Sequence, residues 1–108
     1  MRVPDIDLDL VRCFVTVVEC GGFTSASKRL HLTQSAITLK IKRLEDLLGQ
    51  RLFVKTVAPL ELTPEGEIVL GYSFRLLELN REMVTRVVSA QLPTTRPSTY
   101  WLSKTKAR

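Results

Sequence analysis

The sequence predicts a mainly α-helical fold: three short helices, a two-stranded hairpin and one long C-terminal helix. Three observations carry that expectation. Apolar residues recur at spacings of three and four in the segments 8–20, 34–48 and 64–89, the period of helices that bury one face. Gly21-Gly22, His31-Leu32-Thr33 and Gly49 punctuate the first half into short pieces. After Gly49, the runs Arg51-Leu52-Phe53-Val54-Lys55 and Leu60-Glu61-Leu62 are β-prone and flank the turn segment 56–59.

Leu8, Val11, Val15 and Val18, with Phe14 beside them, define the first helix. Gly21-Gly22 ends it, because glycine accepts the left-handed conformation of a helix C-terminus. Thr24 reads as the N-cap of a second short helix that carries Ala26, Ser27 and Leu30. Thr33 caps the third, whose inward face is Ile37, Ile41, Leu44 and Leu48, and Gly49 closes it. Thr63-Pro64-Glu65 starts the last helix: threonine caps, proline is tolerated at the first helical position, and glutamate favours the positive end of the dipole. Continuing to about Ser89, this helix is roughly 38 Å long at 1.5 Å per residue. It carries two apolar stripes, Val69, Tyr72, Leu76, Leu79, Met83 and Val87 on one side and Leu70, Phe74, Leu77, Val84 and Val88 on the other. One stripe is expected to pack on its own domain and the other on a partner.

The 108 residues suit one small core, and the net charge of +5 favours a polyanionic partner. That charge is concentrated: Lys28, Arg29, Lys40, Lys42, Arg43, Arg51 and Lys55 stand against Glu45 and Asp46 within one segment. No apolar run is long enough to span a bilayer, and the N-terminus carries Asp5, Asp7 and Asp9 instead of a leader, so a cytoplasmic protein without membrane contact is expected. Cys13 and Cys20 lie seven apart on one helix, about 10 Å between Cα atoms, too far to bridge. With a lone His31 remote from both, no metal site or cofactor is expected, and the cysteines read as structural. An enzyme lacks its parts: there is no glycine-rich phosphate loop and no acid–base pair in a recognisable context, so no catalytic residue is assigned. RNA binding is disfavoured by having two tyrosines and four phenylalanines, most at core spacing, where stacking on splayed bases needs exposed rings.

Residues 24–48 hold two helices joined by a short turn, a helix-turn-helix. Ala26 is small where the helices approach, and Leu30, Leu32, Ile37 and Ile41 are expected to wedge between them. The outward face of the third helix begins Gln34, Ser35, Thr38 and then Lys42. Glutamine can contact adenine with two hydrogen bonds, serine and threonine serve several bases, and lysine neutralises phosphate.

The stretch GGFTSASKRLHLTQSAITLKIKRLEDLLGQRLF, extended from Leu8 to about Val88, resembles the N-terminal DNA-binding domain of the LysR-type transcriptional regulators. The shared pattern runs through Phe14-Val15, Glu19, Gly22, Phe23-Thr24, Ala26, Leu30, Thr33-Gln34-Ser35-Ala36, Ile41, Leu44-Glu45, Leu48-Gly49, Leu52-Phe53, Leu62-Thr63 and Gly66. The resemblance implies a winged helix-turn-helix over 1–62, a linker and dimerisation helix over 63–89, and a dimer on an interrupted palindrome of double-stranded DNA. A basic tail, 90–108, follows, and its Pro93, Pro97, Arg96, Lys104, Lys106 and Arg108 without any acid predict disorder.

Carried over by position, Gln34, Ser35 and Thr38 match base-reading residues, and Thr33 and Lys42 match positions that meet the backbone. Lys40, Arg43 and Lys55 complete the basic set. Leu39 stands where many members place a base-reading arginine, and Ala58-Pro59 replaces the basic residue and glycine common at the wing tip. Tyr72, Leu76, Leu79, Met83 and Val87 are the expected dimer face. The resemblance covers no ligand-sensing domain, so neither a sensor nor a small-molecule effector is expected for this chain. The alternative is an interaction protein that forms mixed dimers with longer relatives and alters their DNA binding.

Overall fold

The computed structural model describes residues 2–90, so the predicted tail lies outside the described residues apart from Ala90. The elements are α1 (Leu8–Cys20), α2 (Phe23–Leu30), α3 (Gln34–Leu48), β1 (Phe53–Lys55), β2 (Glu61–Leu62) and α4 (Pro64–Ser89). The chain divides after Leu77, within α4, into two units.

In the first unit, each helix end has a local cause. Asp7 caps α1 by accepting from the Asp9 amide at 2.9 Å, and Gly21, left-handed at φ 77°, closes it. Thr33 caps α3 by accepting from the Ala36 amide at 3.1 Å, and Gly49, at φ 68°, ends it. Thr24 differs from its predicted role. Gly22 is the N-cap of α2 without any side-chain bond, and Thr24 lies inside the first helical turn with its hydroxyl turned to another helix. His31 closes α2 in the left-handed region at φ 57°.

The core is formed by Leu10, Cys13, Phe14 and Val17 of α1, Ala26 of α2, Ile37, Ile41 and Leu44 of α3, and Leu52 and Phe53. Phe53 meets Phe14 edge-on with ring centroids 5.6 Å apart, and Phe23 lies at the same distance on a tilt. The buried band of α1 is wider than predicted. Leu10, Cys13 and Val17 are buried with Val11 and Val15, whereas Leu8 and Val18 are half-buried. Of the expected wedge, Ala26, Ile37 and Ile41 are buried, Leu30 is half-buried and Leu32 is exposed.

The strands pair antiparallel, Phe53 opposite Leu62 and Lys55 opposite Glu61, with an irregular register between them. Glu45 holds the entrance to β1, accepting from the Leu52 amide at 2.8 Å. Thr63 joins the hairpin to α4: its amide donates to the Leu52 carbonyl, its hydroxyl to the Arg51 carbonyl, and its oxygen accepts from the Gly66 amide at 2.9 Å. A Cβ at Gly66 would lie 2.2 Å from the Leu52 oxygen, so only glycine lets α4 start this close to the strand.

α4 corrects the expectation that one of its stripes packs inward. Its covered positions are Gly66 and Ser73, buried, and Val69, Leu70 and Leu77, half-buried, a face that takes residues from both predicted stripes. Tyr72, Phe74 and Leu76 stay exposed. In the second unit, residues 78–89 are helical, paired along their own surface by Glu78–Arg81 and Glu82–Arg86, with Leu79, Met83, Val84, Val87 and Val88 exposed.

Candidate nucleic-acid interface

The surface that matters is set by which side of α3 the core takes. With about 100° between successive residues, burial of Ile37, Ile41 and Leu44 turns Ser35, Leu39, Lys42 and Arg43 away from the protein, and all four are exposed. Gln34 and Thr38 flank them on the side of the hairpin and are also exposed. Together with Phe23, Lys42, Arg51, Thr56 and Val57 they border a concavity of about 690 Å³ between α3 and the wing. Thr33, the cap, sits at the exposed head of the helix, and Lys55 is exposed on β1.

The structure thus brings together Thr33, Gln34, Ser35, Thr38, Leu39, Lys42 and Arg43 on one helical surface, with Lys55 on the wing. Lys40 is set apart. It projects from the α1-facing flank of α3 and bonds the Asp9 carboxylate, which holds its ammonium pKa above the ordinary lysine value. Its neighbour Lys42 has only the exposed Asp46 one turn away, at 3.6 Å. Among the described residues neither Arg43 nor Lys55 is in an ion pair.

Two side chains beside this surface make contacts that were not anticipated. Thr24 donates from its hydroxyl to Gln34 Oε1 at 3.1 Å, across from α2 to α3, and so restrains the Gln34 side chain at the head of α3. Glu45, counted as an acid opposing the basic segment, spends its carboxylate on the Leu52 amide and lies 3.9 Å from Arg51. Neither role has a local signature, since both join residues whose proximity depends on packing.

Burial pushes the Cys13 thiol up to about 11, against a smaller opposing effect of Lys40, so it is a neutral core group at physiological pH. Among the described residues no cluster of three or more histidine, cysteine or acidic side chains could hold a metal ion, and no helix is long and apolar enough to cross a membrane.

Comparison with known proteins places this arrangement. Residues 8–67 match the bacterial regulatory helix-turn-helix proteins of the lysR family. The chain is 46% identical over 76 residues to the HTH-type transcriptional activator BauR of Pseudomonas aeruginosa, covering 70% of this chain and 25% of that protein. It spans about a quarter of the length of the curated regulators it matches first. Among solved structures, the BenM_DBD/catB site 1 DNA complex superposes with a TM-score of 0.75 at 33% identity, covering 79% of this chain and 94% of that one. The CbnR_DBD–DNA complex gives 0.73 at 32% identity, covering 81% and 100%.

Proposed function

The chain belongs to the lysR family of bacterial helix-turn-helix regulators, and from that premise we propose that it binds double-stranded DNA sequence-specifically, as a dimer on an interrupted palindrome, to regulate transcription at the nucleoid in the cytoplasm. The carrying observation is the outward face of α3, where Gln34, Ser35 and Thr38 stand exposed next to Lys42 and Arg43 at the capped start of the helix. A recognition helix reads base edges with its N-terminal residues. In this reading Gln34, Ser35 and Thr38 contact bases, Leu39 faces the groove between them and the basic residues, and Thr33, Lys42, Arg43 and Lys55 contact the backbone. Lys40 is reserved for Asp9. The relatives being regulators and not enzymes supports the same direction.

The dimer is supported by the exposed Tyr72, Leu76, Leu79, Met83 and Val87 of α4, side chains that a second subunit would cover. Two copies related by a two-fold axis would offer two recognition helices to half-sites about one helical turn, roughly 34 Å, or a multiple of it apart. The same residues favour a second reading, in which the partner is a longer relative and the product a mixed dimer.

Selection of bound sequences from a random DNA pool tests the proposal. A palindromic preference is expected, and Gln34→Ala should cost about 1 to 3 kcal/mol on the selected site and little on random DNA. Equal losses on both would remove Gln34 from base readout, and no enriched sequence would leave only polycation behaviour or the mixed dimer.

A further inference from the structure

Leu39 is 59% exposed in the middle of the outward face of α3. The core does not need it, since Ile37, Ile41 and Leu44 already fill the inward face. Its neighbours one turn before and after are Ser35 and the small, half-buried Ala36, then Lys42 and Arg43, so it is the one large apolar side chain of that exposed face. That isolation separates it from a protein-docking patch, which needs contiguous apolar area. We propose that Leu39 is a specificity residue that reads a pyrimidine C5 methyl group in the major groove.

The inference rests on the reading that α3 enters the major groove. There, base edges present donors and acceptors, and the one apolar feature is the methyl on C5 of thymine. A leucine side chain can neither donate nor accept. Against O6 and N7 of guanine or N4 of cytosine it would displace water and leave those groups unpaired, whereas against a methyl it buries apolar surface on both partners. Discrimination therefore has an attractive and a repulsive part, both favouring a thymine at one position per half-site. 5-Methylcytosine displays the same methyl, so the chemistry would also accept a methylated cytosine there.

The test uses the whole chain and the sequence it selects from a random pool. Each thymine is replaced in turn by deoxyuridine, which removes only the methyl, and in a second series the thymine–adenine pair is replaced by cytosine–guanine or 5-methylcytosine–guanine. At one position per half-site, deoxyuridine should weaken wild-type binding about fourfold, the equivalent of one buried methyl. At that position 5-methylcytosine should bind better than cytosine by a similar factor. Leu39→Ala should abolish both differences there while keeping the preferences elsewhere, and Leu39→Met should retain part of them. Wild-type indifference to deoxyuridine at every position would overturn the proposal, as would an unchanged penalty in Leu39→Ala. The supporting reading fails separately: if Gln34→Ala and Thr38→Ala alter no preference, α3 is not in the groove and the inference falls with it. If they alter preference and Leu39→Ala does not, the inference alone falls.

Discussion

Residues 2–77 and the helical residues 78–89 are written in the same alphabet of periodic apolar positions, yet the first contains a buried core and the large apolar side chains of the second are all exposed. In the first, Phe14, Ile37 and Leu52 are fully buried and Leu44 is 1% exposed. In the second, Leu79 is 63% exposed and Met83, Val84, Val87 and Val88 are all open. A stripe of period 3.6 therefore tells that a helix forms, whereas what covers it is decided by elements elsewhere.

Equal truncations should separate the two regions most widely. Leu44→Ala removes a fully packed side chain and should lower stability by about 2 to 5 kcal/mol at any protein concentration. Leu79→Ala should cost well under that in dilute protein and, if the proposed dimer covers it, more as the concentration rises. Urea unfolding at two concentrations, with sedimentation alongside, reads both. A concentration-independent loss at Leu79 as large as that at Leu44 would mean that the exposed face is covered within the chain itself. Leu79→Glu should leave a folded monomer with much weaker operator binding, since the second half-site no longer adds its contacts.

The same contrast explains what was legible in the sequence. Gly21, Thr33, Gly49 and Thr63 could be placed from sequence because a cap acts on amides or carbonyls a few residues away, whereas the cap at Asp7 was not read. The outward face of α3 was legible for a related reason: once Ile37, Ile41 and Leu44 are assigned inward, helix geometry fixes the direction of Gln34, Ser35, Thr38, Leu39 and Lys42. What the sequence did not show is that Thr24, Glu45 and Lys40 are tied to Gln34, the Leu52 amide and Asp9, groups seven to thirty-one residues away. For α4, choosing a whole stripe as the inward face failed because the covered positions are Gly66, Val69, Leu70, Ser73 and Leu77, which include residues of both stripes, and at Gly66 the lack of a side chain lets the helix approach the strand.

Two glycines of α4 restate the comparison on a smaller scale. Gly66→Ala should destabilise by roughly 1 to 3 kcal/mol, the usual cost of overpacking, because its Cβ would meet the Leu52 backbone at 2.2 Å. Gly71 has nothing within 4 Å of that position, so Gly71→Ala should gain up to about 1 kcal/mol from helix propensity. Thermal unfolding of both variants decides it. A gain at Gly66 would show that α4 can slide along β1, and a loss at Gly71 would show that something covers that face.

The smallest expected effect compares two lysines on α3. Lys42 must part only from Asp46, an exposed partner one turn away whose attraction is worth a few tenths of a kcal/mol. Lys40 is held by Asp9, against α1 and away from the outward face. Each phosphate contact steepens the dependence of log affinity on log salt by about 0.9. Lys42→Ala should therefore lower that slope by about one unit per subunit, roughly two for a bound dimer, and weaken selected and random DNA alike. Lys40→Ala should leave the slope unchanged and lower thermal stability slightly, since the ion pair to Asp9 is lost. Asp46→Asn sharpens the comparison from the other side: freeing Lys42 and removing a negative charge next to the DNA should tighten binding to every sequence. If instead Lys40→Ala reduces the slope as much as Lys42→Ala does, Lys40 exchanges Asp9 for phosphate on binding, and the α1-facing flank of α3 belongs to the interface as well.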